Sequence, residues 1–274
     1  MISKKNIESY QGISLSRGDD FLYIPPNVLL QPYISCYTIT FPTNMPDKYT
    51  ILPSASSTMV ISVSDQTIIS TLRGVNTKIC NVGEHANKMK FLLLIEFHSG
   101  CLFPLIRADQ SEFVDLSFEL SAIDRPLMEA IENELLKSES IEALVVSLDK
   151  IFLDRLTDCC ERKTVTAIKK KILTHNGNIG VRELSTEFFY SEKHIRRLFL
   201  QHIGTSPKTF ARIVRVNYAL QLLQNTNMRF AEIAAHTGFF DQSHFIHDFT
   251  LICGLTPQQY MQGMSVFYND NYKF

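Results

Sequence analysis

No run in this 274-residue sequence approaches the roughly 18 consecutive apolar residues of a membrane-spanning helix. The densest apolar stretch, Phe91–Phe97, is broken by Glu96 and suits a buried strand instead. Behind the lysines of the opening MISKKNIESY there is no apolar segment of the kind a secretory signal carries, so the expected location is the cytoplasm. C-x-x-C spacing is also missing. Cys36, Cys80, Cys101 and Cys253 stand alone and Cys159-Cys160 are adjacent, which argues against a zinc or redox centre and for reduced, buried thiols. No metal ligand set and no cofactor motif is found.

Net charge is scarce as well, at −1, which at first speaks against a nucleic-acid partner. The figure conceals an asymmetry. Residues 1–160 carry 13 Lys and Arg against 20 Asp and Glu, and residues 161–274 carry 14 against 8. An acidic half is thus joined to a basic half, and only the basic one is suited to a polyanion. The length favours two domains. An apolar share of 45% with 20% charged residues excludes a disordered, collagenous or coiled-coil chain.

The first 120 residues hold short β-branched and aromatic runs, Ser35–Phe41, Thr58–Val63, Thr67–Leu72 and Lys90–Phe97, punctuated by proline and glycine. The period then becomes helical, which predicts helices over about 124–137 and 140–160. The second has an apolar stripe wide enough either to pack under the β-rich domain or to pair with another copy. Cys160–Lys163 reads as a linker.

From residue 164 the pattern is almost wholly helical and repeats itself. Shifted by 50 positions, Ile195 falls on Phe245, Phe199 on Phe249, Gly204 on Gly254, Ser206-Pro207 on Thr256-Pro257 and Phe210 on Tyr260. Leu184-Ser185 falls on Ile233-Ala234 at 49, so the second copy has one extra residue in its turn. Each copy reads as short helix, turn, second helix and a Gly-x-[Ser/Thr]-Pro helix start, which is a helix-turn-helix. The units span about 181–203 and 230–253, with Ser191 and Asp241 capping the second helices and Lys208–Asn225 joining the units as one stiff helix.

On the first second-helix, Ile195, Leu198, Phe199 and Ile203 form the inward stripe, leaving Lys193, Arg196 and Arg197 where a helix-turn-helix meets the major groove. Arginine offers a two-pronged donor to guanine. The other second-helix carries neither Lys nor Arg. Gln242, Ser243, His244, Ile246 and His247 are its candidate base readers, with glutamine suited to adenine and isoleucine to a thymine methyl. Candidate phosphate contacts are Lys169, Lys170, Ser206, Lys208, Arg212, Arg229 and Thr256. Two recognition helices on one stiff connector suit two groove segments roughly 34 Å apart.

The stretch from Ile233-Ala234 through Gly238-Phe239, Asp241, Ser243, Phe245 and Phe249 to Gly254, Thr256-Pro257 and Tyr260 resembles the C-terminal signature of AraC/XylS-type transcription regulators. Leu184, Ser191, Ile195, Arg197-Leu198-Phe199, Gly204 and Ser206-Pro207 resemble that family's first helix-turn-helix. The family usually has a basic residue where His247 stands and a lysine where Thr250 stands. More weakly, Ile51-Leu52-Pro53, Met59–Val63, Phe97-x-Ser99-Gly100 and Asp115-Leu116 resemble a β-rich domain found ahead of such regulators. The resemblance implies an α+β protein. A barrel- or cupin-like β-rich domain with helices, residues 1–160, would sense an effector or dimerise, and an all-α tandem helix-turn-helix domain, residues 161–274, would bind double-stranded DNA. RNA polymerase, a small-molecule effector and a second copy of the chain are the further partners implied; no enzymatic activity is expected.

The alternative of an enzyme rests on His98-Ser99-Gly100-Cys101, the one cluster of reactive side chains. It lacks the strand–elbow–helix setting of a nucleophile, and a strand running into a turn is the simpler reading.

Overall fold

The computed structural model describes residues 2–43, 50–156 and 160–262. Within the first half, helix α1 (Lys4–Ser9) precedes strands β1 (Ser16–Arg17), β2 (Phe21–Ile24), β3 (Ile34–Thr40), β4 (Thr50–Ile51), β5 (Thr58–Val63), β6 (Ile68–Arg73) and β7 (Cys80–Asn81). Helix α2 (Gly83–Ala86), strand β8 (Phe91–Phe97), helix α3 (Phe103–Ile106), a 3-10 turn (Gln110–Phe113) and strand β9 (Ser117–Glu119) follow. Seven strands form one antiparallel sheet in the order β1-β2-β3-β8-β5-β6-β9, and β4 pairs with β7 apart from it. The large sheet is open, with β1 and β9 as its edges, so it does not close into a barrel. The four expected strands lie within a residue of their sequence limits. The short edge strands are set by pairing and carry no pattern of their own.

Alternation along the strands gives the sheet two different faces. Leu22, Tyr37, Ile39, Met59, Ile61, Leu93 and Ile95 point to a core closed by helices α4 (Leu120–Lys137) and α5 (Ile141–Leu153). The other face carries Thr38, Val60, Leu92, Leu94 and Glu96, with Thr38 Oγ1 donating to Glu96 Oε1 at 2.8 Å. Ile141, Leu144, Leu148 and Phe152 of α5 are completely buried, so the wide stripe is used within the chain. Backbone geometry breaks at Asp124, whose side chain accepts the Leu127 amide at 2.9 Å and pairs with Arg155. The regular part of α4 therefore begins at that cap, with Pro126 in its first turn where its missing N–H costs least.

The second half comprises α6 (Cys160–Thr174), α7 (Val181–Phe188), α8 (Glu192–Ile203), α9 (Pro207–Asn225), α10 (Phe230–His236), α11 (Gln242–Cys253) and α12 (Pro257–Gln262). Residues Cys160–Lys163, read as a linker from their composition, are the first turn of α6. The second expected helix, 140–160, stops at Leu153 with Asp154 as its C-cap, and the residues up to 156 are not helical; 157–159, with Cys159, and Pro46 lie outside the described residues. Cys36, Cys101 and Cys253 are buried, and burial pushes the Cys253 thiol well above its ordinary range.

The halves share an interface that runs over α6, the first helix-turn-helix and α9 and reaches Gly254 at the end of α11, where a Cβ would sit 2.5 Å from Ile79. Lys169 Nζ donates to the Ser99 carbonyl at 2.8 Å, and Asn217 Nδ2 donates to the Pro53 carbonyl at 3.1 Å. The buried His202 imidazole lies 4.3 Å from the Phe103 ring. Gly204, in the left-handed region at φ +91°, comes so close to the Gln110 carbonyl that a Cβ would sit 2.8 Å from it. Ala55 and Val75 belong to the helical core although they come from the β-rich half. The His98–Cys101 segment is a turn in this interface, its Cys101 amide donating to the His98 carbonyl at 2.9 Å.

Burial, and then the Lys169 ammonium, lower the His98 pKa. Folding therefore favours the neutral ring, and stability is lost as pH falls below the unfolded value of about 6.5, until the lowered native pKa is passed. Thermal unfolding followed from pH 8 to pH 5 should show this extra acid sensitivity, and His98→Asn should remove it. Parallel profiles for the two proteins would contradict the assignment.

Candidate nucleic-acid interface

Two helix-turn-helix units are built by the same local devices. In the first, α7 ends at Phe189 in the left-handed conformation, Ser191 caps α8 by accepting the His194 amide at 3.2 Å, and Gly204 closes it with its N–H on the Phe199 and Leu200 carbonyls. In the second, α10 is followed by Gly238, also left-handed at φ +76°. Asp241 then caps α11 through the His244 amide at 2.7 Å, and Gly254 ends that helix. Ser206 accepts the Thr209 amide at 3.1 Å to start α9. Thr256 and Gln259 form a reciprocal box at the start of α12. These caps hold α8 and α11 at fixed entry points, which a reading helix requires.

The buried stripes are those the spacing predicts. Ile195, Leu198, Phe199 and Ile203 face the core from α8, and Phe245, Phe249 and Ile252 from α11. Lys193, Arg196 and Arg197 are exposed on the first two turns of α8, forming one basic face. Gln242, Ser243 and His247 are exposed on α11 and Ile246 is half-buried. His244 is engaged on both sides of its ring. Nδ1 accepts the Phe240 amide at 3.3 Å, so Nε2 carries the proton and faces Asp248 Oδ2 at 3.6 Å. Its ring braces the turn against the helix and is less available to a base than the sequence suggests.

The phosphate candidates divide in the same way. Lys170 and Lys208 are exposed, as is Arg229, whose own amide donates to Glu232 at 2.7 Å. Lys169 is half-buried and spends its ammonium on Ser99, so it ties the two halves together. Ser206 Oγ is occupied as a cap, and Thr256 exchanges both its amide and its hydroxyl with Gln259. Because Pro207 brings no N–H, the Lys208 amide is the donor that the start of α9 can direct at a phosphate.

Arg212 is half-buried, with Nη1 3.7 Å from Asp248 Oδ1. Asp248 is the site residue that sequence reasoning undervalued. It is 7% exposed, lies on α11 opposite α9, and also has His247 Nδ1 at 3.5 Å. Beside it, Arg215 donates to the Gly177 carbonyl at 2.9 Å and lies over the Phe239 ring. One buried carboxylate thus fixes the connecting helix to the second recognition helix. Its i, i+4 spacing from His244 is the local signal that could have pointed to it.

A capped short helix, a turn, a capped second helix and a stiff connector, present twice, define a tandem helix-turn-helix domain. Residues 184–263 match a family described as "Helix-turn-helix domain". Over 71 residues the chain is 37% identical to the HTH-type transcriptional activator RhaR of Yersinia pseudotuberculosis, covering 26% of this chain and 24% of that protein. It is 35% identical over 81 residues to the HTH-type transcriptional regulator ExsA of Pseudomonas aeruginosa, covering 30% and 29%. The match therefore spans about a quarter of each relative's length. Among solved structures it is similar to ToxT from Vibrio cholerae, at 15% identity and a TM-score of 0.40, over 89% of this chain and 94% of that one. No helix among the described residues is long and apolar enough to cross a membrane.

Proposed function

We propose that this protein is a cytoplasmic, sequence-specific DNA-binding transcription regulator that reads two neighbouring major-groove segments with α8 and α11. The observation that carries the reading is the repeated, capped helix-turn-helix with Lys193, Arg196 and Arg197 exposed on one face of α8. In this reading those three side chains serve guanine-rich positions, Gln242 adenine, Ile246 a thymine methyl, and Ser243 and His247 neighbouring edges. His244 acts through its brace on the turn. Lys170, Lys208 and Arg229 contact phosphates, and Arg212 positions α11 through Asp248.

The acidic, β-rich residues 1–160 act on the basic residues 161–274 through the first unit, because Ser99, Phe103 and Gln110 rest against Lys169, His202 and Gly204. That half senses a small-molecule effector or dimerises, and so alters where α8 stands relative to α11; RNA polymerase is the further partner of the DNA-bound protein. It is allosteric in the strict sense if an effector shifts DNA affinity.

Selection of bound sequences from a random duplex pool with the full chain tests the reading. Two short conserved segments about ten base pairs apart should emerge. Their affinity should fall steeply with salt, by about 0.9 in log K per log salt for each phosphate neutralised. No enrichment, or binding indifferent to salt, would overturn it.

A further inference from the structure

The turns that lead into the two recognition helices expose aromatic rings that neither core uses. Phe189 is 94% exposed and Phe240 92%, while every other phenylalanine of the tandem domain among the described residues is buried or half-buried. Phe240 has an aromatic counterpart in the first unit. Phe240 immediately precedes the Asp241 cap and corresponds, 50 residues on, to Tyr190 before the Ser191 cap. In each unit this aromatic residue engages the histidine four positions later. Tyr190 stacks on His194 at 4.7 Å with the planes 19° apart, and the Phe240 amide donates to His244. The turns are therefore held in shape while the Phe189 and Phe240 rings face solvent.

Phe189 adds an observation of a different kind. It occupies the left-handed region at φ 56°, where a bulky side chain is a genuine outlier. The corresponding residue of the second unit, 49 positions on, is Gly238, which makes the same backbone turn without a side chain. The turn thus has no need of a ring at this position, and the first unit carries one at the expense of strain. Strain of this type collects at functional sites.

We infer that Phe189, Tyr190 and Phe240 form an apolar rim on the DNA-facing edge, packing against deoxyribose and thymine methyl groups that flank the two read segments. The inference rests on the DNA-binding reading, and it commits to duplex DNA because the turns that carry these rings run directly into the two reading helices, with Tyr190 three residues before Lys193 and Phe240 two before Gln242. Thymine methyls and sugar edges are the apolar surfaces a groove offers, and phenylalanine is a recognised partner for the former. The rim adds contact area without adding charge. It therefore compensates for the absence of Lys and Arg on α11, where Phe240 stands beside a helix with no cationic side chain of that kind.

The test uses the full chain, the duplex recovered by selection, and the variants Phe189→Gly, Phe189→Ala and Phe240→Ala. Each should bind that duplex about 5- to 20-fold more weakly, with the slope of log K against log salt unchanged because no ion is released or retained. Phe189→Gly should also unfold at a higher temperature than the wild type, since it removes the strain. Exchanging flanking thymines for uracil separates the two apolar sources. An affinity loss in the wild type that vanishes in a variant assigns that ring to a methyl group, and one that persists assigns it to sugar. Wild-type affinity in all three variants overturns the inference and leaves the rings to a protein partner. Failure of the wild type to bind any duplex would instead overturn the DNA-binding reading itself.

Discussion

Arg196→Ala is expected to relax the choice of base at one position of the DNA site while sparing the others. Arg196 is exposed on the second turn of α8, between the buried Ile195 and Leu198, so its loss leaves the packing of the helix intact. The Ser191 cap and the Gly204 end hold the helix in place, and the variant therefore reports a lost contact with no misplaced element. A two-pronged arginine–guanine contact is worth about 1–3 kcal/mol of discrimination, or roughly 5- to 150-fold. Lys170→Ala provides the contrast. Its side chain is exposed on α6, outside the recognition helices themselves, and its removal should weaken all duplexes alike and reduce the salt slope by about 1. Titrating both variants against a series of duplexes with single base-pair changes checks the assignment. If the two profiles have the same shape, Arg196 does not read a base.

Phe249→Ala should be the most damaging single change to stability in the second unit. The ring is fully buried on α11, with Phe245 at 5.7 Å and Tyr260 at 5.9 Å in tilted, near-edge-on arrangements. Removing a buried phenylalanine costs about 3–5 kcal/mol, because a cavity is left as well as the transfer energy being lost, and each aromatic pair adds about 0.5–1.5 kcal/mol. The helix that places Gln242, Ser243 and His247 depends on this cluster, so duplex affinity should fall together with stability. Denaturant unfolding measured alongside DNA titration checks both. A midpoint shifted by no more than an exposed substitution causes, within about 0.5 kcal/mol, would show that Phe249 does not anchor α11. Phe240→Ala, nine residues upstream and exposed, should affect affinity with little change in the unfolding midpoint, which separates contact from support.

The tandem domain was legible because its information is local. The 50-residue repeat, the caps at Ser191, Asp241, Ser206 and Thr256, the glycines after α8 and α11 and the 3.6-residue apolar stripes all act within one or two helical turns. Each can be read without knowing what lies across the core. The central strands were legible for a similar reason, since alternation and β-branching do not depend on the partner strand. Their order was not. β8 lies between β3 and β5, and β6 pairs with β9 some 46 residues on, so sheet order is decided by contacts distant in sequence.

The same distinction separates the site residues. That Lys193, Arg196 and Arg197 are exposed follows from helix period alone. The roles of Lys169, Arg212, His244 and Asp248 follow from what stands opposite them. Lys169 meets a carbonyl 70 residues earlier in the chain, and Arg212 meets a carboxylate 36 residues later. His244 is bound at one nitrogen by the turn before it and faces the buried Asp248 with the other.

Sequence by itself determined the helix-turn-helix units, their basic first face and the split of charge between the halves, because periodicity, capping and ionisation are properties of neighbouring residues. Only the tertiary structure decided which charges remain exposed for a polyanion and which are spent inside the protein. That outcome depends on burial and on the partner supplied by another element: a lysine or arginine beside an accepting oxygen becomes a strut, and one left in water remains free to meet DNA.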